Sequence, residues 1–384
     1  MQFTTNPQML HEMLAIGICY FLFAISYTWG LYLLGKAWQV ESPCQSASLP
    51  TPTDFSILVP FRNEERKLTA LLHNLLVNLP LASKVVFIDD HSEDDGAALV
   101  RSFIEAFDVQ NWCVEPSKGQ GKKAALTTGI EASQAKIILT IDADVSLSKE
   151  WVKTMLAPFN KENIQLVAGP VMTYSNAGIF FKFQQIEWAS LLLVSNYFFK
   201  IGRPLMCSGA NLAFRTSAFE AVAGYSGNFH IPSGDDEFLL KKINKRFGPD
   251  ALVYLNSPSA LVQTEPLASP EDWICQRSRW ASKWNVHKEY GHGFTAALLV
   301  FFCLIVLASI PLAFVSWKLT CMFLLVWGLK LLAEKAVLSK VLNSFGLIFS
   351  NHIWFLSGWI YPIMVLASLP NAILGKYTWK GRKN

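Results

Sequence analysis

The chain is short of charge. Only 16% of its 384 residues are Asp, Glu, Lys or Arg, against 52% hydrophobic ones; a soluble domain carries about 25% charged. A mean hydropathy of +0.28 excludes a disordered chain and is high for a soluble enzyme. A broad basic face is missing as well. The formal net charge is +4, and Lys376, Lys380, Arg382 and Lys383 account for all of it. That argues against a nucleic-acid binder. Ordered cysteine spacing is absent: the seven cysteines stand at 19, 44, 113, 207, 275, 303 and 321. Neither a disulfide framework nor a zinc pattern fits, and a reduced compartment suits them. No Lys or Arg precedes Lys36, so the basic start of a cleaved signal peptide is lacking.

What the chain has instead is apolar length. It holds 13 Trp and 27 Phe, many in apolar runs, which suits lipid contact. Residues 13–35 carry no charge, and a membrane span needs about 20 apolar residues. Residues 1–36 read as an uncleaved anchor, N-terminus outside, with the chain from Lys36 onward in the cytoplasm. Residues 294–315 form a second uncharged run, and 347–375 a third, broken by Pro362 and Pro370. Between them, 319–328 is apolar but runs into Lys330, Glu334 and Lys335; Lys330 and Glu334 are i,i+4 and suited to pair. The expected layout is a multi-pass protein of the cell membrane. After the anchor come a Ser-, Pro-, Thr- and Gln-rich linker over 37–53 and a cytoplasmic domain with interfacial helices over 54–293. A membrane region of two or three helices over 294–375 and a basic tail over 376–384 follow. Four spans would leave that tail outside, against the positive-inside tendency. Either 319–335 or 347–375 then stops short of crossing, or the tail is an exception.

The hydrophilic segment alternates in period. Strand-like runs at 55–59, 84–88, 110–114 and 136–141 are separated by helical patterns at 64–78, 94–107 and 119–134. Such alternation predicts an α/β domain with a parallel, doubly wound sheet. Ligands in such sheets bind beyond the carboxyl ends of the strands. Three strands end in polar clusters: Arg62-Asn63-Glu64, Asp89-Asp90, and Asp142-Ala143-Asp144. They are expected to converge on one crevice.

Two carboxylates two apart after a buried strand, Asp142 and Asp144, suit a hard cation such as Mg²⁺ or Mn²⁺. An ordinary surface turn would have the same residues. Asp90 lies in an Asx-type turn in which Ser92 is expected to cap the next helix. Lys118-Gly119-Gln120-Gly121-Lys122-Lys123 departs from the Walker pattern, yet a glycine turn with lysines at a helix start suits a diphosphate. Asp235-Asp236-Glu237 after Gly234 suits a helix N-terminus and equally a general base. Gln276, Arg279 and Trp280 share one helix face: an amide, a guanidinium for phosphate oxygens and a ring for a sugar. An interfacial amphipathic helix would read the same way. Trp273, Trp284, His287 and His292 around it read as membrane-interface residues.

Taken in order, these stretches resemble the processive-type, inverting family 2 glycosyltransferases of the GT-A fold. The resemblance rests on Val59-Pro60-Phe61-Arg62-Asn63-Glu64-Glu65, Asp89 through Asp94, Lys118 through Lys122, Asp142-Ala143-Asp144, Cys207-Ser208-Gly209-Ala210-Asn211, Gly234 through Glu237 and Gln276 through Trp280. It covers about residues 54–290. It implies a nucleotide-sugar site, a UDP-sugar above all, that includes Pro60, Arg62, Glu64, Asp90, Lys118, Lys122 and Asp142. Asp144 with Asp142 would hold a Mg²⁺ or Mn²⁺ ion, and Asp236 would be the base that activates the acceptor hydroxyl. Gln276, Arg279 and Trp280 would hold the diphosphate and shape the acceptor channel, with Cys207, Gly209 and Asn211 on the acceptor side. Asp235 stays open as an alternative base, because many relatives begin this motif with Glu. The layout is most similar to ceramide glucosyltransferases and related bacterial membrane enzymes. That implies a lipid or other hydrophobic acceptor and glycolipid biosynthesis. Other readings stay open: a processive polysaccharide synthase, favoured by Gln276-x-x-Arg279-Trp280, an inactive scaffold that kept the fold, and other nucleotide-sugar or polyprenyl-phosphate sugar transfers.

Overall fold

A computed structural model of the chain describes residues 7–40, 54–80, 82–174, 176–229, 231, 234–281, 290–374, 378–379 and 382–383. Most of the expected linker and tail, with Trp284 and His287, lie outside the described residues.

The run Phe55–Phe61 becomes β1, and all seven of its residues are buried. Continuous apolar strands of this kind belong to parallel sheets covered on both faces. β2 (Lys84–Asp89), β3 (Trp112–Pro116) and β4 (Ile137–Thr140) follow as expected, joined by α2 (Glu65–Asn78), α3 (Gly96–Ala106) and α4 (Lys122–Ser133). Helix α2 covers its side of the sheet with Leu68, Leu71, Leu72 and Leu75, a helical i, i+3, i+4, i+7 stripe. Ser92 does not cap α3: its hydroxyl accepts the Asn63 N–H, and Asp95 stands at the cap position. The shift follows from the tie between the β1 and β2 ends described below.

Three short elements, β5 (Val145–Leu147), β6 (Leu166–Ala168) and β7 (Val171–Thr173), surround α5 (Trp151–Leu156). Then come α6 (Ile179–Lys200), β8 (Leu212–Arg215), α7 (Thr216–Ala221), α8 (Asp235–Phe247), β9 (Leu252–Tyr254), β10 (Val262–Thr264) and α9 (Pro270–Ala281). The main sheet runs β3-β2-β1-β4-β8-β6-β9. It is not wholly parallel: β8 is antiparallel to both β4 and β6. Strand order turns back between β1 and β4, which opens a crevice at their carboxyl ends. A second small sheet, β5-β10-β7, stands beside that crevice.

Four long helices flank this domain: α1 (Pro7–Ala37), α10 (Tyr290–Leu312), α11 (Trp317–Ser344) and α12 (Asn351–Leu374). Segments Ala15–Ala37 and Asn351–Leu374 are long and apolar enough to cross a membrane, and Ala297–Leu312 is a shorter apolar stretch. The run at 319–328 is no separate element; α11 carries it on through Lys330 and Glu334 for 28 residues. Helix α1 shows Ile18, Leu22, Ile25 and Trp29 on its outer surface. Its end is locked to the domain: Asn196 and Lys200 on α6 both donate to the Ala37 carbonyl, at 3.0 and 2.6 Å. Trp38, Val337, Leu338, Val341 and Trp354 join one buried cluster with the sheet residues Leu58, Val86 and Ile138. The domain and the long helices therefore share a core.

Asn211 departs from its expected place on the acceptor side. It is fully buried, and its side chain donates to the Pro170 and Ala260 carbonyls at 2.8 and 2.7 Å. It also accepts the Trp151 indole N–H at 3.0 Å. Gly169 leaves it room, since a Cβ there would lie 2.3 Å from the Asn211 amide. Asn211 thus ties β8 to both flanking segments and to α5. Asn211→Ala strands three buried polar groups and is expected to cost about 3 kcal/mol of stability, measured as a lower unfolding midpoint of the purified chain.

Candidate active site

Two turns close the crevice wall. Arg62, beyond β1, donates to the Asp90 and His91 carbonyls at 3.1 and 3.0 Å and pairs with Glu93 at 3.0 Å. Asn63 and His91 take positive φ angles of 52° and 59°. The Glu93 N–H donates to the Asn63 side chain at 2.8 Å. Asp90, 3% exposed, accepts the Gly121 N–H at 2.8 Å. Gly121 has φ +94°, a left-handed geometry that favours glycine, and α4 starts at the next residue. Asp90 thereby holds the glycine turn against the β2 end.

That turn aims Lys122 into the crevice. Its ammonium lies 2.6 Å from Asp142 and 3.6 Å from Asp235. Burial pulls the Lys122 pKa down, but the carboxylates outweigh it and hold the group well above its ordinary value. Lys67 on α2 does the same across the crevice, 3.3 Å from Asp144, 3.4 Å from Glu64 and 3.7 Å from Glu265. Burial again opposes, and Asp144 and Glu64 raise its pKa overall. Asp144 itself is raised, first by burial and then by the charge of Asp142, with Lys67 opposing. Among the described residues no group of three His, Cys, Asp or Glu is arranged as a complete metal cage. Two carboxylates two residues apart, Asp142 and Asp144, both lining the cavity, fit Mg²⁺ or Mn²⁺, which fill the remaining positions with water and substrate phosphates.

The far wall is the start of α8. Asp235 is buried, while Asp236 is half-buried. Asp236 accepts the Gly209 N–H at 2.8 Å and the Glu237 N–H at 2.7 Å. These bonds fix its carboxylate at the helix N-terminus, where the dipole favours negative charge. A Cβ at Gly209 would lie 2.9 Å from Asp235 and 3.1 Å from Lys122.

One cavity of about 670 Å³ joins these groups. Pro60, Arg62, Glu64, Asp90, Lys122, Asp142, Asp144, Cys207, Gly209, Asp235, Asp236, Gln276, Arg279 and Trp280 all line it. Lys118 does not. Its ammonium is 73% exposed and pairs with Glu131 at 2.7 Å. Asn211 does not line it either, for the reason given above. The cavity continues to Tyr27 and Leu31 on α1, Leu299 on α10, Glu334 and Leu338 on α11, and Ser357 and Tyr361 on α12.

Helix α9 holds a feature that the motif conceals. Arg277, buried between Gln276 and Arg279, makes a two-pronged ion pair with Glu187 of α6, both bonds 2.6 Å. The Trp273 indole N–H donates to the same carboxylate at 2.7 Å. The guanidinium lies 4.1 Å from the Trp280 ring centre and 5.0 Å from that of Trp273. Trp273, expected at the membrane interface, is 1% exposed within this cage. The spacing of Trp273, Arg277 and Trp280, i, i+4 and i+7, was the available signal; Lys67, three residues after Glu64, was another.

Residues 56–223 match the family model described as Glycosyl transferase family 2. They form a family 2 glycosyltransferase domain. The matched segment contains Asp90, Asp142, Asp144 and Gly209 and stops before α8 and α9. The domain is similar to the glycosyltransferase AglE of Haloferax volcanii, 30% identical over 32% of this chain and 41% of that one. It is also similar to a dodecaprenyl-phosphate galacturonate synthase of Rhizobium johnstonii, 24% identical over 34% of this chain and 37% of that one. The undecaprenyl-phosphate 4-deoxy-4-formamido-L-arabinose transferase of Pseudomonas fluorescens is 30% identical over 28% and 33%. The chain thus spans less than half the length of these relatives. Among solved structures, the mannosyltransferase PcManGT of Pyrobaculum calidifontis, in complex with GDP-mannose and Mn²⁺, superposes with a TM-score of 0.55. It is 15% identical, over 94% of this chain and 99% of that one. The family 2 domain has the GT-A fold, Rossmann-like and α/β.

The family 2 domain depends on Lys122 to hold its carboxylates together. Lys122→Met is expected to cost roughly 2 kcal/mol, less than the 3–5 of a fully buried pair, because Asp142 is 40% exposed. Thermal unfolding of the variant beside the unaltered chain at pH 7 checks the loss.

Proposed function

We propose that this chain is a membrane-bound, inverting hexosyltransferase that moves a sugar from a nucleotide sugar, a UDP-sugar in the first instance, to a hydrophobic acceptor. One observation carries the reading: a single cavity runs from the carboxylate crevice to side chains of α1, α10, α11 and α12. A nucleotide sugar suits the crevice end, and an acyl or prenyl chain suits the other. The names of the relatives, two of them acting with polyprenyl phosphates, support a lipid acceptor. The layout proposed with it is an anchor formed by α1, a cytoplasmic GT-A domain, and a C-terminal membrane region that includes α12. A ceramide glucosyltransferase-like activity is one member of this class.

Asp236 takes the proton from the acceptor hydroxyl. The hydroxyl oxygen attacks the anomeric carbon as the bond to the diphosphate oxygen breaks on the opposite face, and the configuration inverts. Asp235, ion-paired with Lys122, is left to position that ammonium. Lys122 and Arg279 stand where negative charge gathers on the departing nucleoside diphosphate. Gln276 and Trp280 bound the acceptor channel, and Asp90 fixes the glycine turn beside the nucleoside. Asp142 and Asp144 would hold a Mg²⁺ or Mn²⁺ ion, which neutralises the same charge when bound. The Gln276-x-x-Arg279-Trp280 motif keeps a polysaccharide synthase as the second reading.

Membranes carrying the protein are supplied with labelled nucleotide sugars, UDP-glucose first, and Mg²⁺ or Mn²⁺. Label is expected in the solvent-extractable lipid fraction. Asp236→Asn should reduce it at least 100-fold, the lower range for removal of a general base. Label in ethanol-insoluble polymer would favour the synthase. No transfer across a panel of nucleotide sugars would sink the enzymatic reading.

A further inference from the structure

The helix-lined end of the cavity holds polar groups that the transfer chemistry does not use. Glu334 on α11 lines it, pairs with Lys330 at 2.8 Å and accepts the hydroxyl of Tyr27 from α1. Lys330 is 8% exposed. An ion pair among apolar helices is costly and tends to mark a functional site. Here its charges cancel, and Tyr27 and Lys330 already donate to Glu334.

Ser357 on α12 is different. It is 4% exposed, it lines the cavity, and its hydroxyl has no hydrogen-bond partner. Buried helical serines elsewhere in the long helices donate to their own backbone: Ser309 to Val306 at 2.6 Å and Ser368 to Val365 at 2.7 Å. Ser357 does not. The neighbouring Gly358 lets α11 come close, since a Cβ there would lie 2.3 Å from Leu331 and 3.8 Å from the Lys330 ammonium. Ser357 thus carries a buried, unpartnered hydroxyl on a residue that lines the cavity, next in the chain to the glycine packed near Lys330.

We infer that this end of the cavity, between α1, α11 and α12, is a second polar subsite that binds a neutral carbonyl oxygen of the lipid acceptor, set back from the hydroxyl that receives the sugar. The inference rests on the reading of the cavity as an acceptor channel. A carbonyl accepts the Ser357 hydroxyl proton without bringing a donor of its own to satisfy. A phosphate would gain little, because Glu334 cancels the nearest cation. The acceptor class is therefore an uncharged lipid with an ester or amide near its polar end.

Two probes differ only at that atom: 1-decanoylglycerol has the ester carbonyl, and 1-O-decylglycerol has an ether methylene in its place. The full-length protein in detergent is incubated with an equimolar mixture and re-purified, and the retained lipids are counted by mass spectrometry. The expected ratio is about 5:1 for the ester, the effect of one net hydrogen bond. Ser357→Ala should bring the ratio to about 1:1. Ser357 holds no hydrogen bond in the structure, so this substitution removes nothing that supports the fold. A ratio near one in the unaltered protein, or a preference that survives in Ser357→Ala, overturns the subsite. Nucleotide-sugar transfer is assayed on the same preparation. Transfer without ester preference defeats the subsite alone, and ester preference without transfer defeats the enzymatic reading alone.

Discussion

Carboxylates gathered at strand ends repel one another, and every other feature of the crevice is arranged around that repulsion. Asp142, Asp144, Asp235 and Asp236 come from two strand and helix ends that the topology brings together. Two lysines from different helices, Lys122 and Lys67, stand between them. Lys67 is carried by the helix that begins just after the polar end of β1, and Lys122 by the helix that begins at the glycine turn after β3, so the sheet, the turns and the charges are one construction. Lys122 bridges Asp142 and Asp235, while the buried Asp144 has Lys67 beside it. Under the proposed function a diphosphate with its cation would enter among these groups.

The second constraint is mechanical. Helix α6 touches both halves of the molecule. Its Glu187 holds Arg277 and Trp273 of α9, and its Asn196 and Lys200 hold the end of α1. Trp280, stacked on Arg277, therefore inherits its position from α6. The cavity wall at Trp280 and the end of α1 are held by one rod 22 residues long.

Much of this was legible in the chain. The first four strands and their helices follow from hydrophobic period, and their boundaries differ from the expected ones by a few residues. The acids at 90, 142 and 144 line one cavity because strand ends in such sheets converge, and those at 235 and 236 join them from the start of α8. What period does not show is direction and distant partnership. β8 is antiparallel because it returns from α6, which no local pattern records. Arg277 faces inward because its partner is 90 positions away in the chain. Asn211 sits in a motif otherwise on the cavity, yet its amide is spent on two carbonyls and an indole. Lys118 belongs to the glycine turn by sequence, but the turn sends Lys122 inward and leaves Lys118 to Glu131. The tertiary partner decided each case.

The clamp on the Ala37 carbonyl also sets a height. With α1 joined to α6 by two hydrogen bonds and by Trp38 in the shared core, the crevice cannot rise or sink relative to the end of that helix. If α1 stands in a bilayer, the reacting carboxylates are held at a constant altitude above the lipid surface, like a plumb line cut to one length. Under the proposed function, selection among acceptors would then be a matter of reach: a molecule whose hydroxyl stood too low or too high relative to its anchoring tail would be refused before any contact with Asp236 was made.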